Sequence, residues 1–321
     1  MASASIPAPP SRNWLELPPE LTASIFHRVG AIDVLMNARK VCRTWRQLCS
    51  DPEMWRVVDL RYTGDLCDID LRKMARKALE MSAGHLVDLT VRHFADDELL
   101  NFIADRSSQL RRVSLISCFS ITSDGLSEMV KKLPLLEDLH LYRIHVSKQA
   151  IEVAGKHCTQ LKSFKLNSQD YGYSNIGCDE EAVAIAENMH GLRHLQLFGN
   201  KITTDGLLAI LEKCPHLESL DLRRCLNVAN LEPDLLKRLS QQMKDLRLTY
   251  DSLEDFDLID EIDDKFDDLD SFDDGNASGF SDIDLVSDDY DYVDEDDDVD
   301  DNDDDDDDED DGGGSDEMYY V

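Results

Sequence analysis

Apolar residues recur along the chain in the order L-x-x-L-x-L, most plainly at Leu217, Leu220 and Leu222. The same spacing holds at Leu86, Leu89 and Val91; Leu110, Val113 and Leu115; Leu136, Leu139 and Leu141; Leu161, Phe164 and Leu166; Leu192, Leu195 and Leu197; and, less clearly, Met243, Leu246 and Leu248. From first position to first position the steps are 24, 26, 25, 31, 25 and 26 residues. The last two apolar positions are two apart, which predicts a short strand whose side chains alternate between two faces. One such unit cannot bury its apolar side alone, so seven in register predict a stack sharing one core. Between the strands the apolar spacing becomes helical over 96–105, 123–132, 148–157, 179–188 and 204–213, several segments opening on a capping residue such as Ser123 or Thr204. Helices are wider than strands, so the stack is expected to curve with its strands on the concave side.

A different pattern precedes the repeats. Leu21, Ile25 and Val29 recur every four residues after Pro18-Pro19, predicting a helix started by proline and ended by Gly30. Asp33 is expected to cap a second helix with Val41, Trp45 and Leu48 on its apolar face, and Asp51-Pro52-Glu53 to start a short third one carrying Trp55. Three short helices make a thin core that has to lean on a neighbour. Residues 60–85 read as a connector holding one helix over 70–82, whose Arg72, Lys73, Arg76 and Lys77 fit a solvated face.

Two resemblances follow from these residues. The repeats resemble the cysteine-containing leucine-rich-repeat family: Cys118 and Cys225 stand two residues past the last strand leucine, Cys158 and Cys214 three before the first, and Asn200 takes the cysteine's place in the sixth unit. The N-terminal module resembles an F-box through Leu17-Pro18-Pro19-Glu20-Leu21, Ile25-Phe26, Val29, Val41-Cys42-Arg43-Thr44-Trp45-Arg46 and Asp51-Pro52-Glu53-Met54-Trp55. The combination looks like plant F-box/leucine-rich-repeat proteins. With the resemblance the chain reads as α/β: a short all-α F-box (13–59), the connector (60–85) and a curved leucine-rich-repeat solenoid (86–250), while composition predicts a disordered Ala/Ser/Pro-rich start (1–12) and a disordered acidic C-terminal tail (251–321). The resemblance also implies a Skp-family adaptor as partner, and through it cullin and RING subunits, with Leu17, Pro18, Leu21, Ile25 and Val41 as adaptor contacts and Trp45 and Trp55 holding the helices together.

Composition sharpens this picture. The formal net charge of −35 lies wholly in the tail: from Asp251 onward stand 36 of the 68 acidic residues and one of the 33 lysines and arginines. The remainder is neutral, which gives no electrostatic case for nucleic acid. The eight cysteines form no C-x-x-C pair, so neither a disulfide framework nor a zinc site is expected. No apolar run approaches the roughly 18 residues of a membrane span, and the opening residues do not read as a signal peptide. The expected setting is therefore the nucleus, the cytoplasm or both.

No catalytic arrangement stands out. His190 and His194 straddle a helix end and a strand, a poor geometry for a shared metal. Asp274, Asn276, Ser278, Gly279, Phe280 and Asp282 imitate a calcium loop, but Leu285 stands where the bidentate glutamate belongs. Ser271, Ser281 and Ser287 precede acidic residues, as acid-directed phosphorylation sites do. The long step contains an insertion with Tyr171 and Tyr173, placed to project from one rim.

Strand alternation nominates the concave face for binding a target protein: Thr90 and Arg92; Arg112, Ser114 and Ile116; His140 and Tyr142; Lys165 and Asn167; His194, Gln196 and Phe198; Asp221 and Arg223. Of these, Arg92, Ser114, His140, Tyr142, Lys165, Gln196, Phe198, Asp221 and Arg223 are the strongest substrate-contact candidates. The resemblance implies a non-catalytic substrate receptor of an SCF-type ubiquitin ligase that leads its target to proteasomal degradation. Larger plant hormone receptors of this class add a hormone and an inositol phosphate; the far shorter repeat stack here gives no ground for either, so no cofactor is expected. The alternative is a repeat scaffold or acidic chaperone for basic proteins without a ligase role.

Overall fold

The computed structural model describes residues 17–61, 70–168 and 177–256. The Tyr171–Tyr173 insertion, the calcium-loop lookalike, the three tail serines and the acidic run beyond Phe256 lie outside the described residues.

Helix α1 (Pro19–Val29) begins at the paired prolines, where a missing N–H costs nothing, and stops at Gly30, whose φ of 97° and N–H bond to the Phe26 carbonyl turn the chain. The next run is not one helix. It divides into α2 (Ala31–Asp33), a π turn (Val34–Ala38) and α3 (Arg39–Val41). Asp33 therefore caps nothing; its carboxylate accepts from Asn37 Nδ2 at 3.1 Å, inside the helical run that Gly30 opens. Cys42 is extended, its sulfur accepts from the Trp45 N–H, and α4 (Arg43–Leu48) follows. Phe26 and Trp45 meet edge to face at 5.0 Å. Val41, expected to share Trp45's face, points to solvent instead, because the extended Cys42 breaks the helix between them.

The 3₁₀ turn Pro52–Trp55 runs into strand β1 (Val57–Leu60), and the boundary drawn between Asp59 and Leu60 falls inside that strand. Trp55, Val58 and Leu60 are all buried and carry the repeat spacing, with tryptophan in the first leucine's place. The connector is thus an eighth repeat: α5 (Leu71–Ser82) is its helix and buries Leu71, Ala75, Ala78 and Leu79. The pattern hid because an aromatic and a valine replace two of its leucines.

From there strand and helix alternate: β2 (Asp88–Arg92), α6 (Asp97–Arg106), β3 (Arg112–Ile116), α7 (Ser123–Lys131), β4 (Asp138–Tyr142), α8 (Lys148–His157), β5 (Ser163–Asn167), α9 (Glu180–Asn188), β6 (His194–Gln196), α10 (Thr204–Lys213), β7 (Ser219–Asp221), α11 (Pro233–Gln242) and β8 (Asp245–Arg247). The strands form one parallel sheet in chain order, each paired only with its sequence neighbours. The middle apolar positions are in register: Leu89, Val113, Leu139, Phe164, Leu195, Leu220 and Leu246 stand side by side. Helices cover one face of the sheet and complete the core.

Three periodic devices hold neighbouring repeats in register. The residues directly before β3 to β8 are all charged, and Glu137 bridges Arg111 and Lys162 while Glu218 bridges Arg193 and Lys244. These exposed pairs each contribute at most about 1 kcal/mol, so they guide register more than they stabilise. Just past the strands, His93, Ser117, Arg143, Gly199 and Arg224 take positive φ. At the four non-glycine positions the strain is compensated, because each of the five N–H groups reaches a carbonyl at or just past the end of the next strand, at 2.8–3.0 Å.

The third device is an aspartate clasp. Asp179 accepts from Thr203 N–H at 2.8 Å and Thr203 Oγ1 at 2.6 Å; Asp97 does the same with Thr122. Both clasps sit against a glycine, Gly206 and Gly125, where a Cβ would fall 2.2 Å and 1.9 Å from the carboxylate oxygen. Gly206→Ala is therefore expected to force Asp179 away and to cost about 1.5–3 kcal/mol through its two lost bonds. Urea unfolding reads this directly; a loss under about 0.5 kcal/mol would mean that the clasp is slack.

Candidate functional surfaces

Two surfaces stand out, on opposite parts of the sequence. On α1 the helical period sends Thr22 and Phe26 inward and leaves Leu21, Ile25 and Val29 outward, 54%, 37% and 47% exposed, with Val41 60% exposed as well. Leu17 is half-buried and Pro18 exposed. The module's own core is made by Phe26, Ile32, Val34, Leu35, Trp45 and Trp55, and among the described residues this outward apolar set belongs to no buried cluster. Such a strip is what a partner-binding helix face presents.

The second surface is the helix-free face of the sheet. Arg92, Ser114, Lys165 and Gln196 lie there half-buried, and Arg112 is exposed, its Nε held by Asp88 at 2.6 Å. The other strongest candidates are not open. Tyr142 and Phe198 are 0% exposed, and His140, Asp221 and Arg223 are buried too. Two interactions bury them. One is a line of hydrogen bonds across the strands: Asn167 Nδ2 contacts His140 Nε2 and Gln196 Oε1, each at 3.1 Å, and Gln196 Nε2 donates to Asp221 at 2.7 Å. Burial holds the His140 imidazole down at about 3, so it is neutral and able to accept from Asn167. Asn167 Oδ1 also takes the Phe198 N–H at 3.1 Å, pinning the turn that carries the phenyl ring.

The other interaction is a cover. Residues 251–256, assigned from composition to the acidic tail, pack on this face. Phe256 is buried against Ile116, Tyr142 and Phe198, stacked on Phe198 at 4.2 Å, with Leu253 beside it. Asp255 accepts from Arg223 at 2.6 Å and from Arg247 at 2.7 Å, and Arg223 also donates to the Ser252 carbonyl at 2.8 Å. Burial opposes the charge on Arg223, but the flanking Asp221 and Asp255 carboxylates outweigh it and keep the guanidinium firmly protonated. Hydrogen bonding from Arg223 in turn holds Asp255 below the usual carboxylate range. Leu253, Asp255 and Phe256 escaped the sequence reading because they open a low-complexity acidic run. The available signal was two apolar residues three apart directly after the last strand.

Beside this cover a groove of about 380 Å³ is lined by Asp138, Lys165, His194, Asp221, Arg247 and Asp255 among others, an alternation of both charges. The repeat cysteines point into the core: burial pushes Cys158 and Cys225 up to about 12 and Cys214 to about 11, and their thiols face backbone carbonyls. They are therefore structural thiols rather than nucleophiles. His190 Nδ1 faces the Lys213 carbonyl at 3.1 Å, while His194 lies exposed on the sheet. Among the described residues no three His, Cys, Asp or Glu side chains come together as a metal site, and no helix is long and apolar enough to cross a membrane.

Comparison with known proteins agrees with both halves. Residues 14–61 match the F-box-like family and residues 188–211 a leucine-rich-repeat family. The F-box protein SKIP19 of Arabidopsis thaliana is 47% identical over 299 residues, covering 91% of this chain and 93% of that protein. Another Arabidopsis protein, described as an F-box/LRR-repeat protein, is 44% identical over 70% of this chain and 93% of its own length. The Arabidopsis F-box protein FBW2 is 30% identical over 73% of this chain and 74% of its own.

Proposed function

The chain belongs to the plant F-box/leucine-rich-repeat family, and on that premise we propose that it is the substrate-recognition subunit of an SCF ubiquitin ligase. The observation that carries this reading is the outward apolar strip of Leu21, Ile25, Val29 and Val41, with Leu17 and Pro18 at its start, on a module matched to the F-box over residues 14–61. In this reading the strip docks on a Skp-family adaptor, which links to cullin and RING subunits, and the sheet face holds a target protein. The chain itself performs no covalent step. Its contribution to rate is tethering, which raises the target's effective concentration near the charged conjugating enzyme. Degradation of the target and a nuclear or cytoplasmic setting belong to the same proposal.

The test is co-purification of the full chain with a Skp adaptor. A Leu21→Asp/Val41→Asp variant changes two exposed positions, so folding is expected to survive while two charges enter an apolar interface. Adaptor affinity is expected to fall at least about 100-fold. A wild-type chain that melts cooperatively but binds no adaptor, or a double variant that binds as wild type does, would overturn the reading. The first result would leave the repeat scaffold or acidic chaperone as the function to pursue.

A further inference from the structure

The cover on the sheet has features that a structural element does not need. Ile116, Tyr142, Phe198 and Phe256 form an apolar cluster separate from the main core, on the face that the repeats leave without helices. Its first three members come from three different repeats, Ile116 and Tyr142 at the exit ends of their strands and Phe198 in the turn just past β6. Leu253 and Phe256 do not extend the sheet; they insert side chains from above. Beside them Arg223, 4% exposed, spends its guanidinium on one carboxylate of the sheet and one of the cover, and Arg247 adds a second cation to that same Asp255. Among the described residues the cover presents one stacked phenyl ring, one partly buried leucine, one half-exposed carboxylate and the Ser252 carbonyl.

We infer that this face is a peptide-binding site occupied in the free chain by its own Leu253-Glu254-Asp255-Phe256, and that its partner is an extended protein segment with a leucine and, three residues on, a phenylalanine directly preceded by an acid. The phenyl ring enters the Tyr142–Phe198 cluster, the acid meets Arg223 and Arg247, and the leucine lies alongside. This rests on the receptor reading for what becomes of the partner, but not for the site itself. The own segment acts as a competitor whose removal admits the partner. Because it begins six residues past the end of β8, its effective concentration is on the order of millimolar, and with an intrinsic affinity of ~10 µM it weakens any competing segment roughly 100-fold. Beyond Phe256 the order recurs once, at Leu269-Asp270-Ser271-Phe272, with serine where Asp255 stands.

The probe is a fluorescent peptide of residues 249–257, titrated into the full chain and into a Leu253→Ala/Phe256→Ala/Phe272→Ala variant in which neither copy can compete. The variant is expected to bind the peptide ~10–100-fold more tightly than wild type. Adding Arg247→Glu, or replacing the peptide's phenylalanine by alanine, is expected to remove at least tenfold of that affinity. A variant that melts as wild type and still binds the Skp adaptor, yet takes the peptide no better, overturns the inference. Should the triple variant fail to fold, Asp255→Asn keeps both apolar anchors and is expected to admit the peptide ~3–10-fold more tightly; no change there overturns it equally. Peptide binding without adaptor binding would keep the site and remove the ligase role, so the two failures are distinct.

Discussion

Trp55→Ala is expected to destabilise the protein by about 3–5 kcal/mol, the usual cost of emptying a large aromatic site in a core. Trp55 is 2% exposed and donates its indole N–H to the Cys49 carbonyl at 2.8 Å. It closes the helical module and fills the first leucine position of the repeat whose strand is β1, and both parts belong to one continuous buried cluster. The loss should therefore appear in both halves at once. Guanidinium unfolding followed by a signal from the repeats and by Skp adaptor binding checks this. A transition of the helical module alone, with the repeats melting at the wild-type midpoint, would show that Trp55 serves only one side. Trp55→Phe keeps much of the volume but leaves the Cys49 carbonyl unpaired, and should fall between wild type and alanine at about 1–2 kcal/mol.

Arg223→Ala is the second large effect. It leaves Asp221 buried without its cation, and breaking such a pair typically costs about 3–5 kcal/mol. It also deletes the anchor of Asp255 and of the Ser252 carbonyl, so the cover should loosen. Arg223→Met combined with Asp221→Asn removes both charges, and should recover most of the stability without recovering the cover. Urea midpoints for the single and double variants, with protease nicking near Phe256, separate the two consequences. A single variant as costly as the double would mean that the buried charge on Asp221 is neutralised some other way.

The legibility of this protein divides along the range of the forces involved. Seven strands could be read from spacing alone, because period-two burial next to period-3.6 burial leaves a local imprint. The eighth could not, because Trp55 and Val58 satisfy the same buried positions with other shapes. On α1 the outward strip of Leu21, Ile25 and Val29 was visible as periodicity, and the F-box likeness supplied its direction. Asp33 was misassigned since its capping chemistry suits several positions, and only the break at Cys42 decided where helices end.

The sheet face shows the opposite case. Alternation placed Tyr142, Phe198, Asp221 and Arg223 on the helix-free side, and they are there. Whether that side meets solvent is not a property of the strands. It depends on a contact between Phe256 and rings more than 50 residues away in sequence. Such a contact leaves no period, and its residues sit in an acidic run whose composition argues for no structure at all. Sequence by itself determined the repeat architecture, the stack's register and the apolar strip of α1, because each arises from burial within a few neighbouring residues. Tertiary structure alone decided that Trp55 joins two modules and that the chain covers its own sheet, because both require surfaces that exist only after the repeats have stacked.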